Sequence, residues 1–308
     1  MVPALNEEQT LTRLLPFLVQ AVELNPCITE VLLVSSPSTD GTTEICSSAK
    51  RRWSFIKHIA LTEWIPKFNV LARGSGEAKN DWLIVMDADV QASCEMLATL
   101  ASHTTSEPSI VQARNLPDCL EKIQATGSEN VAIQLLWAAL TSLAWHWIRS
   151  NRHDLRWAVS AHCYLCHRSV LPTNCPARFP DDISIGLNCW NNGFPIIYAP
   201  EIRVIFRPAQ TLGDFLRQKL RNRIALAHIR KVAPDKIGDL RSAFRSCLSN
   251  GSCLEEFCPR SLLFPIKSLL ALDAVLWQTA KVLAVAGFGY RGRWRAARST
   301  KECPTLES

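Results

Sequence analysis

The chain has 308 residues, of which 47% are hydrophobic and 20% charged, with 12 Gly and 17 Pro. Those proportions exclude a disordered, collagenous or mucin-like chain, and the length is enough to bury a continuous core. A formal net charge of +6 together with 10 Trp and a mean hydropathy of +0.03 points to an anionic partner: a nucleotide, a phosphate or an acidic lipid surface.

Leu11, Leu14, Leu15, Leu18, Val19 and Val22 recur at three- and four-residue spacing, which predicts an amphipathic helix over residues 8–24. Ile28 to Val34 reads as a buried strand. The turn formers Ser35-Ser36-Pro37-Ser38-Thr39-Asp40-Gly41 then lead into a helix from Thr42 to Lys50. A strand over 53–61, a helix over 67–79 and a short apolar strand from Trp82 to Met86 follow. This alternation predicts an α/β fold with a mostly parallel sheet flanked by helices. Only Val2 and Pro3 remain for a first strand, so the true start is expected upstream of Met1. The second half offers an apolar run from Val131 to Ile148, strands near Trp157 to Arg168 and Ile196 to Val204, and a basic helix from Leu212 to Lys231. No internal repeat is present.

Ligands of open parallel sheets gather at the carboxyl ends of strands, where both Ser35-Ser36 and Asp87-Ala88-Asp89 fall. Two carboxylates two residues apart can hold a hard divalent cation through oxygen, although a turn closing a strand uses the same residues. Phe179-Pro180-Asp181-Asp182-Ile183-Ser184-Ile185-Gly186 brings a second acidic pair to the head of a helix whose expected face is Ile183, Ile185 and Leu187. Aspartates there satisfy free amides and the helix dipole, so one carboxylate, Asp181, is read as a cap and Asp182 as catalytic. Arg217-Gln218-Lys219-Leu220-Arg221-Asn222-Arg223 is a solvated charge run or, since Arg binds phosphate bidentately, a phosphate contact.

In order, spacing and type these segments, over roughly residues 2–225, resemble the family 2 glycosyltransferases of GT-A (Rossmann-like) fold. Val2 to Glu8 is similar to the family's opening nucleotide-binding segment, Ser38-Thr39-Asp40-Gly41-Thr42 to its base-binding loop and Trp64 to Gly74 to its lysine-bearing segment. Asp87-Ala88-Asp89 then stands at the DxD, Pro180 to Gly186 at the catalytic acidic pair, and Gln218 to Arg221 at the Q-x-x-R of the last motif. The resemblance implies a metal-dependent inverting glycosyltransferase. Pro3, Asn6, Glu7, Ser36, Lys67, Asp87 and Arg221 would contact the donor nucleotide, Asp89 would ligate Mg or Mn, and Asp182 would be the general base. Asp181 and Gln218 would lie on the acceptor side. A nucleotide-sugar, with UDP-sugars foremost, would be the donor, and a lipid or glycan hydroxyl the acceptor.

The sequence departs from the family at Ser35-Ser36-Pro37, where an acidic pair usually recognises uracil, at Pro66, where Gly is usual, and at Asn222, where Trp is usual. The last departure favours a single transfer over polymerisation. Residues 1–232 are expected to form the catalytic domain, with a donor half over about 1–115 and an acceptor half over about 116–232. Residues 233–308 would form a C-terminal helical region.

Val131 to Ile148 nearly reaches the ~20 apolar residues of a span, but a span there would split the two acidic pairs across a bilayer, so a buried or interfacial helix is expected. In the tail, Lys267, Asp273, Gln278 and Lys281 share one side of an amphipathic helix over Leu262 to Phe288, and Arg291, Arg293, Trp294, Arg295, Arg298 and Lys301 suit anionic headgroups. A helix packed on the catalytic domain with a solvated end is the alternative. Twelve cysteines without a signal segment ahead of them imply free thiols in a reducing compartment; with the apolar composition and the basic tail, a cytoplasmic protein peripheral or monotopic at the inner face of the membrane is expected. Cys163-Tyr164-Leu165-Cys166-His167 formally matches haem attachment and, with His162, a zinc site; both are rejected. No nucleic-acid-binding fold is recognised. A non-catalytic GT-A-like binding module is the competing function, while a nucleotidyltransferase would need a Gly-rich basic N-terminal loop that the sequence lacks.

Overall fold

The computed structural model describes residues 1–120, 132–159, 162–171, 181–232, 234–249 and 278–279. Strand β1 (Val2–Ala4), helix α1 (Glu8–Leu24), β2 (Val31–Ser35), α2 (Thr42–Arg52), β3 (Ile56–Ala60), α3 (Lys67–Gly76) and β4 (Trp82–Met86) alternate as the apolar spacing predicts. Every residue of β2 is buried, as a strand covered by helices on both faces requires. β1, β2 and β3 pair in parallel, in register Val2 with Leu33 and Leu33 with His58. Met1 donates from its nitrogen to Ile84 O at 2.7 Å and accepts from the Met86 amide at 3.1 Å, a parallel bridge that joins the three-stranded sheet to β4.

The second sheet runs β4-β7-β6-β8-β5, with β5 at Val90–Gln91, β6 at Ile110–Pro117, β7 at Cys163–His167 and β8 at Ile196–Phe206. It is mixed: β7 is antiparallel to both β4 and β6, β8 is parallel to β6, and β5 is antiparallel to β8. A register shift between Ala113 and Arg114 absorbs extra residues of β8, and Pro200, which has no amide to donate, sits in that bulge. Helix α4 (Cys94–Ala101) begins at a Ser93 cap whose hydroxyl accepts from the Met96 amide at 3.0 Å.

The apolar run of the second half forms α5 (Ile133–Asn151), which buries Trp137, Leu140, Ala144 and Ile148. No helix among the described residues is long and apolar enough to cross a membrane. Helices α6 (Asp181–Asn191), α7 (Leu212–Val232) and α8 (Pro234–Ser249) complete the described chain; α8 packs on α5 and α7 and shares a core with Ile148, Trp157 and Ile229. The buried face of α6 is Ser184, Ile185, Gly186 and Cys189, not the predicted stripe of Ile183, Ile185 and Leu187, because Ile183 and Leu187 turn toward the α5–α8 cluster while Ile185 faces the sheet. The tail segments from Leu262 to Phe288 and from Arg291 to Lys301 lie outside the described residues apart from 278–279, as do Phe179 and Pro180.

Candidate active site

The carboxyl end of β4, the head of α3, the approach to β7 and the head of α6 meet at one place. Lys67, the first residue of α3, donates to Asp87 Oδ1 at 2.6 Å and stands 3.1 Å from Asp181 Oδ2. One ammonium therefore bridges a carboxylate from the donor-side loop and one from the acidic pair, far apart in sequence, with only 10–14% of each of the three side chains exposed. Burial alone would pull the Lys67 ammonium down, but Asp181 and Asp87 outweigh it and raise it. Burial pushes Asp87 the other way, yet Lys67 and His162 hold its carboxyl below the usual range.

His162 enters through the backbone and the ring. Its carbonyl accepts from the Asp87 amide at 2.9 Å, its Nδ1 lies 3.7 Å from Asp87 Oδ2, and its imidazole stacks on Phe206 at 4.4 Å and 10°. Phe206 is in turn the β8 partner of Val90, so this stack closes one side of the Asp87-Ala88-Asp89 turn between β4 and β5.

At the head of α6 the acidic pair divides its work. Asp182 Oδ1 accepts from the Ile183 amide at 2.8 Å, while Asp181 answers Lys67. The amide contact expected of Asp181 thus belongs to Asp182, because the helix already starts at Asp181. Burial first, and the neighbouring Asp181 carboxylate second, push the Asp182 carboxyl up to about 6 against the pull of the Ile183 amide, Lys67 and His162. A carboxyl poised there is ionised at neutral pH yet basic enough to take a proton.

The predicted base loop forms a tight stitch between the first two strand ends. Asn6 adopts φ +55°, the left-handed region that Asn tolerates. Its amide donates to Ser38 Oγ at 3.1 Å, and its Oδ1 accepts from the Thr39 amide at 2.8 Å. Glu7 is turned inward: it is 2% exposed, its amide donates to Thr42 Oγ1 at 2.7 Å, and its carboxylate accepts from Thr10 Oγ1 at 2.5 Å. That side chain locks the start of α1. Pro3 is buried in β1 opposite Val34, and Ser36 is buried with its amide donating to Ala4 O at 2.9 Å. Where the family's acidic pair would stand, Ser35 Oγ instead meets His58 Nε2 at 2.8 Å, and His58 Nδ1 meets Ser47 Oγ at 3.2 Å.

Gln218 and Arg221 are half-buried on α7, which packs against α5 and α8. The run around them is partly a solvated face, since Arg217 is 78% exposed and pairs with Asp214 at 2.6 Å. Cys163 and Cys166 point to opposite sides of β7, into separate clusters, so the C-x-x-C-H string cannot present both sulfurs to one ligand.

Sequence reasoning named Lys67, Asp87, Asp181 and Asp182, and the structure brings these four together. It missed His162 as a neighbour of Asp87, and also Phe206 and the buried Arg149, whose guanidinium burial pulls down to about 10 against the opposing influence of Tyr198 and Asp182.

The glycosyl transferase family 2 model matches residues 1–159, and the chain belongs to that family. It is a glycosyltransferase of GT-A fold. No curated protein sequence matches it. Among solved structures it is similar to the mannosyltransferase PcManGT from Pyrobaculum calidifontis in complex with GDP-mannose and Mn2+, at 16% identity over 94% of this chain and 84% of that one, with a TM-score of 0.50. Glucosyl-3-phosphoglycerate synthase from Mycobacterium tuberculosis, with Mn2+, UDP-glucose and phosphoglyceric acid, matches at 16% identity over 77% and 78% of the two chains, TM-score 0.47. S. aureus TarS 1-349 matches at 12% identity over 93% and 90%, TM-score 0.48.

Proposed function

We propose that the protein is an inverting, metal-dependent glycosyltransferase that makes a single transfer from a nucleotide-sugar to an acceptor hydroxyl, with Asp182 as general base. The observation that carries this reading is the convergence of Lys67, Asp87 and the Asp181-Asp182 pair from three separate chain segments. The acceptor oxygen attacks the anomeric carbon, its proton passes to Asp182, and the bond from that carbon to the diphosphate oxygen breaks. Lys67 fixes the carboxylates on both sides of the reacting centre and offsets negative charge beside the leaving diphosphate.

The residues fit a hard divalent cation. Among the described residues no three His, Cys, Asp or Glu are grouped to hold a metal ion by themselves; the two carboxylates of the Asp87-Ala88-Asp89 turn would suit a Mg or Mn ion that takes the rest of its shell from substrate phosphates and water. Asp89 would be the direct ligand, with Asp87, held by Lys67, two residues before it in the same turn, and the ion would supply charge stabilisation to the diphosphate. Residues 1–232 are read as the catalytic domain. The mean hydropathy, the Trp content and the basic tail support a lipid-linked acceptor reached from the membrane surface.

Calorimetric titration with UDP, GDP, CDP and dTDP, with and without Mn2+, on the wild type and on Asp89→Ala tests the donor site. Tight binding of one nucleotide that needs both the metal and Asp89 is expected. Binding of none by the folded protein, or binding indifferent to Asp89, sinks the assignment.

A further inference from the structure

Within electrostatic reach of Asp182 lies a buried cation that the reaction scheme does not use. Arg149, in the last turn of α5, is 4% exposed. Its Nη2 donates to Ala158 O at 3.0 Å, its backbone carbonyl accepts from Arg156 Nε at 3.0 Å, and from β6 Gln112 Nε2 donates to Arg156 O at 3.0 Å. Residues 156–158 are thereby gripped between α5 and β6.

Helix α6 rests on that grip. Gly186, one turn below Asp182, faces Trp157 so closely that a Cβ at its position would lie 1.7 Å from the Trp157 carbonyl oxygen and 3.1 Å from Val159 Cγ2. The contact is backbone on backbone, so a shift of Trp157 is passed to α6 with no side chain to absorb it. The charge on Arg149 is expensive to keep there. The guanidinium lies against the rings of Trp145 at 4.9 Å and Tyr198 at 6.0 Å, and its Nε has no hydrogen-bond partner among the described residues. Among the described residues no carboxylate stands at ion-pair distance from it, and a buried cation so placed is a poor choice for stability alone.

We propose that Arg149 is a positioning residue for Asp182: by holding the Ala158 carbonyl it fixes the 156–159 seat of α6, and through that seat the place of the α6 carboxylates. The inference rests on the reading of Asp182 as general base.

The test uses Arg149→Met, Arg149→Lys and Asp182→Asn beside the wild type. Two quantities are measured for each: the dissociation constant of the tightest-binding diphosphate among UDP, GDP, CDP and dTDP with Mn2+, and the rate of its release from its glucose and mannose conjugates with water as acceptor. Arg149→Met is expected to slow release by at least about 30-fold with nucleotide affinity within about twofold, and Arg149→Lys, which keeps a donor and a charge, to return within about fivefold of the wild type. Wild-type release by a folded Arg149→Met, equal loss of affinity and turnover, or a Lys variant as impaired as Met would each overturn the proposal. Should Arg149→Met fail to fold, Arg149→Gln takes its place with the same split at a tenfold threshold. Full activity in Asp182→Asn, or no release by the nucleotide-bound wild type, removes the base reading and this inference with it. Loss in Asp182→Asn with an unaffected Arg149→Met removes the inference alone.

Discussion

Gly186→Ala is the sharpest single perturbation of the acidic pair, because the added methyl meets backbone. The new Cβ would stand 1.7 Å from Trp157 O and 2.8 Å from the carbonyl carbon, where real Cβ contacts stay above 3.0 Å, so α6 and the Trp157 segment must part by about 1.3 Å. Overpacking of this kind costs about 1–3 kcal/mol, which for a domain of this size lowers the melting temperature by roughly 4–8 °C at the middle of that range. The functional effect is larger, since a misplacement of about 1 Å at a catalytic group costs on the order of 100-fold in turnover. The strand ends of β1, β2 and β4, which carry most of the proposed donor contacts, do not rest on this seat, so nucleotide affinity is expected to hold within about twofold. Gly76→Ala is the control: nothing lies within 4 Å of its Cβ, and it should change neither quantity. Scanning calorimetry, nucleotide titration and diphosphate release on the two variants make the measurement. A Gly186→Ala protein with wild-type melting and wild-type turnover would refute both the rigidity of the seat and the dependence of Asp182 upon it.

Three further outcomes follow from the charges. Lys67→Met leaves Asp87 and Asp181 facing each other without their shared cation, and removing one partner of a buried ion pair costs about 3–5 kcal/mol; urea unfolding at pH 7.5 should show that loss, whereas equal midpoints for wild type and variant would count against the bridge. Burial and the neighbouring Asp181 charge push the folded Asp182 carboxyl up to about 6 from the 3.8 of an ordinary Asp, so its ionised form opposes folding, by nothing below about pH 4 and in full above about pH 6. Asp182→Asn should therefore be inactive yet more stable than the wild type by up to about 3 kcal/mol at pH 7.5, with no advantage at pH 4. Wild-type diphosphate release should rise with pH and level off above an apparent pKa near 6; a profile flat from pH 4.5 to 7.5 argues against a base at that position.

The donor side was the more legible in sequence. Helix Glu8–Leu24 and strand Trp82–Met86 agree with the periodicity to the residue, because each is a long apolar stripe or a short unbroken run between turn formers. The errors fall at ends. Ile28 closes a turn, with its amide donating to Asn25 O at 2.9 Å, and Trp53 ends α2 through a 3.0 Å bond to Ala49 O, so their apolar side chains extended the predicted strands too far. Strand β5 is two residues long and carries no pattern. The insertion of antiparallel β7 between β4 and β6 is settled by long-range pairing that no local spacing reports, and it is this insertion that delivers His162 to the end of β4. Arg149 was hidden for a related reason: within an apolar helix a lone arginine reads as a solvated end, and only packing against 156–158 buries it. Glu7 shows the opposite failure, a residue of the right type in the right segment whose carboxylate the Thr10 hydroxyl draws inward while Thr42 holds its amide.

The Lys67 bridge bears on how the two acidic segments act together. In sequence Lys67 reads as a clamp for the donor diphosphate, and Asp181 as a cap belonging to another helix. In the structure the same ammonium satisfies Asp87 and Asp181 at 2.6 and 3.1 Å, so the loop proposed to face the donor and the helix proposed to face the acceptor share one charge. An arriving diphosphate adds a third anion to that cation, and whatever Lys67 gives to it is withdrawn from the carboxylates. Withdrawal from Asp181 leaves more negative charge beside Asp182 and raises its affinity for a proton. Donor binding would thus make the base stronger at the moment an acceptor proton has to be taken, a coupling that one residue supplies because the fold places it between two carboxylates that the sequence holds far apart.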